Sequence, residues 1–214
     1  MGDPLWPAQL AVAVAIGLHL ALSDKLVIGP IWLIPAVEGL LLITLIVIAP
    51  TRVSHAGWRH QRGLLWTILG LVTLAYLVSL GLLVHYLVVG GEANGHALIG
   101  SGLVLWVTNV LIFSVVYWDL DRGGPLDRFE KDRPYPDFLF PQMDSDTVKH
   151  MPMGVKWQPA FLDYLYTALT NATAFSPTDT MPLTQTAKLL MGIQGTAALI
   201  TVGLVVARAV NILG

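Results

Sequence analysis

Leu64–Val89 reads LLWTILGLVTLAYLVSLGLLVHYLVV and contains no formally charged residue. A helix needs roughly 20 apolar residues to cross a hydrocarbon core of about 30 Å, so this run alone predicts a membrane-crossing helix. The same criterion picks out Ile31–Ala49, extendable back to Leu26, and also Ala97–Trp118 and Leu189–Ala207. Pro7–Leu22 is shorter, but it carries no formal charge and Trp6 precedes it as an interfacial anchor. A signal peptide is the competing reading of that segment. It is the weaker one, because Asp3 comes before the segment and no Lys or Arg does.

Composition agrees. Of 214 residues, 55% are hydrophobic and 12% are charged, and mean hydropathy is +0.67, which places the chain among integral membrane proteins. A net charge of −2 argues against nucleic acid as a partner. With no cysteine, there are no disulfides, thiolate metal sites or thiol nucleophiles. The expected fold is all-α, a polytopic transmembrane helix bundle of five to six membrane segments. It divides into an N-terminal four-helix region over 1–118, a polar cytoplasmic excursion over 119–157, and a C-terminal unit over 158–214. That last unit comprises a polar helix, a Pro-containing hairpin and a final transmembrane helix.

Basic residues orient the spans. The loop TRVSHAGWRHQRG holds Arg52, Arg59 and Arg62, whereas Gly90–His96 has neither Lys nor Arg, so the first is cytoplasmic and the second external. The N-terminus then lies inside, and the fourth span delivers the excursion to the cytoplasm. Its Arg122, Arg128, Lys131, Arg133, Lys149 and Lys156 agree, although its acidic residues outnumber them. Dense in Pro and Asp, it reads either as a partly ordered excursion or as a solvated linker.

Arg208 suggests that the final helix also ends inside, which requires one more crossing between Lys156 and Leu189. PAFLDYLYTALTNATAFS, from Pro159 to Ser176, is the candidate. Pro159 suits a first helical position and Ser176-Pro177 a stop, and at 1.5 Å per residue the helix would reach about 27 Å. The alternative is a half-helix that re-enters, leaving the C-terminus outside. Asp163, Thr167, Thr170 and Asn171 fall on one stripe of this helix. Because unpaired polar groups in hydrocarbon cost several kcal/mol, the stripe must face other helices, a subunit or water.

From Tyr164 to Val210 the order of a polar helix, a Thr-rich descent, Asp, Pro, Thr, a basic residue and an apolar helix resembles the pore module of potassium channels. TDTMPLTQTAK matches that pattern at Asp179, Pro182, Thr184 and Lys188, and Gly203 stands where inner helices carry a small residue. The same register places Ala174, Phe175, Ser176, Pro177 and Thr178 where the family has Thr-Val-Gly-Tyr-Gly. Without those glycines, successive carbonyls cannot all turn toward an ion, and Pro177 restricts both itself and Ser176. The resemblance therefore implies a pore-module architecture without potassium selectivity, with Ser176, Pro177, Thr178 and Pro182 forming a rigid hairpin. WDLDRGGP, DFLFPQM, DYLYTALTNATAFSPTDTMPLT and ARAVNIL also resemble an uncharacterised bacterial integral membrane family, a domain of unknown function. That resemblance implies placement in the bacterial inner membrane and names no activity.

Ionisable groups at membrane depth are functional candidates by default. Glu38 lies within the second span, close to Pro30 and Pro35, and reads as a structural carboxyl or as a proton or cation site. His19 and His85 lie near external span ends at a similar depth. They could cluster with Glu38, or ligate haem iron axially from two helices, the less favoured reading. Asn109 is expected to bond helix to helix, and Gly192, Gly195 and Gly203 read about equally well as permitting close packing or as a gating hinge.

No His-Glu-x-x-His, Gly-x-Ser-x-Gly or phosphate-cradling loop occurs, so an enzyme is not expected, and no cofactor is. The favoured function is a channel-like or transport-related protein, a homo-oligomer or bound to a membrane partner in the lipid bilayer. It would move an inorganic ion or proton along Asp163, Thr167, Thr170, Asn171, Asp179 and Glu38. A non-transporting scaffold or assembly subunit is the alternative.

Overall fold

A computed structural model describes residues 4–48, 58–89, 95–125, 128, 135–143, 157–173 and 179–213. Among the described residues there are six α-helices: α1 Trp6–His19, α2 Leu33–Ile48, α3 Trp58–Val89, α4 Gly95–Leu120, α5 Phe161–Thr173 and α6 Gln185–Leu213. The two-residue strands β1, Phe138–Leu139, and β2, Met181–Pro182, pair antiparallel, with Phe138 opposite Pro182 and Leu139 opposite Met181.

The fold is all-α, and α3, α4 and α6 are long and apolar enough to cross a membrane. The other two apolar helices are shorter than the sequence suggests: α1 has 14 residues and α2 has 16, or about 21 and 24 Å of helix. The α1 helix has Pro in its first turn, where the missing N–H costs nothing. It closes as Leu20 N–H turns back to Gly17 and Leu18 carbonyls. The α3 helix starts earlier than its apolar run, so His60 and Arg62 of the basic loop belong to it.

Successive helices run in opposite directions. Trp6 and Pro7, at the start of α1, share a groove with Trp118 near the end of α4. Just beyond the other end of α1, Ser23 N donates to Ser101 Oγ in the second turn of α4 (3.1 Å). The α2 helix returns, and its last carbonyl, on Ile48, accepts from Gln61 Nε2 at the start of α3 (3.5 Å). The bundle therefore has a Trp118 end and a Ser101 end.

The α5 helix runs antiparallel to α4 from the Trp118 end. Phe161 packs edge-on against Trp118 (6.1 Å between centroids), and Trp106 Nε1, twelve positions up α4, donates to the carbonyl of Ala172 (3.3 Å). With 13 residues, α5 is about 20 Å long. After it the chain comes back, because Thr180 Oγ1 lies 3.3 Å from Thr167 Oγ1 and β2 pairs with β1 beside the end of α4. Of the helix expected over Pro159–Ser176, the described part covers Phe161–Thr173, and the chain before it and the chain from Thr180 on lie at one end of the bundle. The α6 helix then runs the full length: Gln194 meets α5, and Val205 packs on Gly102, where an added Cβ would stand 2.2 Å from Val205 Cγ2.

Candidate functional site

The polar stripe of α5 bonds within the chain. Asp163 Oδ2 accepts from Ala160 N (2.7 Å), reaching back over the first turn as an acidic residue does at the third position of a helix. Thr167 Oγ1 bonds the Asp163 carbonyl (2.8 Å), and Thr170 Oγ1 the Tyr166 carbonyl (2.8 Å). Asn171 Nδ2 donates to the Met191 carbonyl (2.9 Å) and to Gln194 Oε1 (2.8 Å). Gln194, fully buried, donates from Nε2 to the Ala168 carbonyl (2.8 Å) and accepts from Tyr117 Oη (2.5 Å). The stripe therefore faces α6 through Asn171 and the returning segment through Thr167. Asp179 is exposed at the head of that segment. Pro182 sits in β2 opposite Phe138, whereas Ser176, Pro177 and Thr178 lie outside the described residues.

A second polar cluster occupies the Trp118 end, where sequence reasoning placed only a loop. WDLDRGGP ends α4 with Arg122, Gly123 and Gly124 all at positive φ (53°, 82° and 103°), a reversal that glycine makes without strain. The reversal turns Asp121 inward. Its Oδ2 accepts from Tyr164 Oη (2.6 Å), and its Oδ1 from the backbone N–H groups of Asp137 (2.9 Å) and Phe138 (3.4 Å). Arg128 donates to Tyr164 Oη (2.9 Å) and to the Trp118 carbonyl, and its guanidinium lies 5.0 Å from the Tyr164 ring centroid. Asp137 accepts from Arg122 N (2.9 Å) and Thr184 Oγ1 (2.7 Å), and Thr184 in turn caps α6 by accepting from Ala187 N (3.2 Å). Phe138 and Phe140 are buried against Tyr117, Tyr164 and Trp157. The described parts of the 119–157 excursion are thus docked on the bundle and are not a solvated linker.

Beside this cluster, Asp119 Oδ2 accepts from Arg62 Nε (3.0 Å) and Trp66 Nε1 (2.8 Å). An apolar groove of about 580 Å³ opens between α1, α4 and α5, lined among others by Trp6, Leu10, Leu111, Trp118, Phe161 and Leu165.

Toward the Ser101 end, Glu38 is fully buried and His19 nearly so, with Nδ1 and Oε2 4.0 Å apart. Both Glu38 oxygens and His19 Nε2 lack hydrogen-bond partners among the described residues. His85 is exposed on α3 and contacts Tyr86, so the structure unites His19 with Glu38 and leaves His85 on the outer surface. Asn109 donates to Tyr76 Oη (3.1 Å), the helix-to-helix bond expected of it. Sequence reasoning missed Asp119, Asp121, Asp137, Tyr164, Tyr117 and Gln194. Gln194, a lone amide in an apolar run, carried the same signal as Asn109. The aspartates, sitting beside basic residues after a span, looked like solvated charges.

Comparison of the chain with family models, with curated proteins and with solved structures finds no match.

Proposed function

We propose that the protein is a channel-like or transport-related integral membrane protein of the bacterial inner membrane. In this reading α1 to α4 and α6 cross the bilayer, α5 with its return segment forms a re-entrant hairpin, and copies assemble around the path of an inorganic ion or proton. The observation that supports it best is the course of the chain from α5 to α6. A half-length helix begins beside Trp118, the chain returns through Thr180 and β2 to the same end, and a full-length apolar helix follows. This order of half-helix, return and long helix is that of a pore module, and non-helical backbone at membrane depth is tolerated only where protein or water covers it. The absence of filter glycines between Ala174 and Thr178 argues against potassium selectivity. Asp179, exposed at the head of the return segment, is the charge available to a passing ion.

The scaffold reading has one observation in its favour: Asp163, Thr167, Thr170 and Asn171 all spend polar atoms on bonds within the chain. Flux of small cations and protons into proteoliposomes separates the two. Transport predicts flux that Asp179→Ala lowers severalfold. Flux unaffected by that change, or no flux together with stable co-purification in a larger complex, sinks the reading.

A further inference from the structure

We propose that His19 and Glu38 form a buried proton-binding dyad, in which one proton is held between the carboxyl of α2 and the imidazole at the end of α1. The proposal deepens the transport reading by naming the proton as the cargo, and it rests on the membrane placement given there.

Three polar atoms without a hydrogen-bond partner among the described residues, Glu38 Oε1, Glu38 Oε2 and His19 Nε2, lie in one buried pair of side chains. Leaving such an atom buried and unbonded is costly, and buried polar side chains are otherwise nearly always bonded. A protein keeps so costly a grouping where the groups act on something other than each other. The separation of 4.0 Å is too long for a hydrogen bond. Closing it by about 1 Å makes a direct one, and one water can also bridge the two groups.

The chemistry favours one proton. A carboxylic acid beside a neutral imidazole, and a carboxylate beside an imidazolium, are both neutral as a pair and differ only in which atom holds the proton. In the transfer the O–H bond of Glu38 breaks and an N–H bond forms at Nδ1, with no other reactant. Adding a second proton, or removing the first, leaves a net charge in an apolar bundle, which desolvation disfavours. The donor set does not suit a metal ion: among the described residues no group of three His, Cys, Asp or Glu side chains assembles, and hard cations take six or more oxygen ligands.

Neighbouring titratable groups are accounted for helix by helix. Against α2 pack α1 and α3. The α1 helix contributes His19. In α3, Arg62 is engaged with Asp119 at the Trp118 end, Tyr76 Oη accepts from Asn109, and His85 is exposed next to Tyr86. His60, in the first turn of α3, also stands at the Trp118 end. Asp24 and Lys25 lie in the short 3-10 turn that packs on α3.

Infrared spectra of the protein in liposomes at neutral pH test the proposal without any measurement of flux, so the site and the transport reading fail separately. The chain contains three glutamates, Glu38, Glu92 and Glu130, and the Glu38→Gln variant tells the band of Glu38 from those of the other two. A protonated-carboxyl band that moves on ¹³C-glutamate labelling of the unaltered protein is expected from Glu38. It should shift in D₂O and vanish in Glu38→Gln. In His19→Gln the proton has only the carboxyl to occupy, so the band should gain intensity. A ¹³C-sensitive band missing from the unaltered protein and from His19→Gln overturns the proposal, as does one of equal intensity in both. ¹⁵N-histidine resonances of His19 that are identical with and without Glu38→Gln overturn it too.

Discussion

Asp119 shows how much one side chain can depend on a distant partner. It is buried at the end of α4, where Arg62, 57 positions earlier, holds its Oδ2 with a contact of 2.9 Å while the arginine side chain stays 32% exposed. The Arg62 Nη2 also bonds the Asp119 carbonyl (3.2 Å) and Trp66 adds a second donor, while Oδ1 has no hydrogen-bond partner among the described residues. Removing one member of such a pair leaves an uncompensated buried charge. Arg62→Ala is expected to lower stability by about 3 kcal/mol, measured by denaturant unfolding in detergent micelles. The double variant Arg62→Ala/Asp119→Asn should lose less than the single one, because the neutral amide still accepts from Trp66 without carrying charge. In the sequence, Asp119 and Asp121 read as part of a charge-balanced loop, since acidic and basic residues alternate there. Nothing local distinguishes a solvated carboxylate from one that a helix reversal turns inward.

At the scale of elements, contact between helices sets the facing of α5. The periodicity placed Asp163, Thr167, Thr170 and Asn171 on one stripe, and two of them do face neighbouring chain, Asn171 toward α6 and Thr167 toward the return segment. The described helix runs to Thr173, and Pro177, which the sequence offers as its terminator, lies outside the described residues. Its partner α6 lies so close to α4 that Gly102 has no room for a side chain beside Val205. Small residues at such crossings let backbones approach, which matters where lipid gives helices no hydrophobic reason to associate. Gly102→Ala should therefore destabilise the α4–α6 contact by about 1–3 kcal/mol. Adding Val205→Ala should restore most of that loss, read as the thermal midpoint of the two variants in one detergent. Gly192, Gly195 and Gly203 looked like the packing glycines from the sequence. The tight approach falls instead at Gly102, because close contact depends on where two helices cross and not on which helix is richest in glycine.

For the whole molecule, the route of the chain yields a prediction about sidedness. The start of α1 and the segment Thr180–Pro182 belong to the Trp118 end, whereas the later turns of α6 pack on the early turns of α4, at the Ser101 end. Cysteines introduced at Asp179 and at the N-terminus should therefore react with an impermeant maleimide from one face of oriented vesicles, and a cysteine after Leu213 from the other. A chain in which α5 crosses would put Asp179 opposite the N-terminus. The all-α architecture and the positions of the three helices long and apolar enough to cross a membrane were legible in residue order, because such a run is a local property of about twenty consecutive residues. Whether α5 crosses or turns back was not, since Pro159–Ser176 is nearly long enough, and only Trp106, β1 and Thr167 determine where its ends lie. The docking of the excursion was equally hidden, for Asp121, Arg128, Asp137 and Tyr164 are unremarkable until a reversed helix end brings them together. Linear sequence determines what a segment can bury. Which partner it is buried against is a long-range choice, decided by packing and by the need to satisfy every polar atom that the packing encloses.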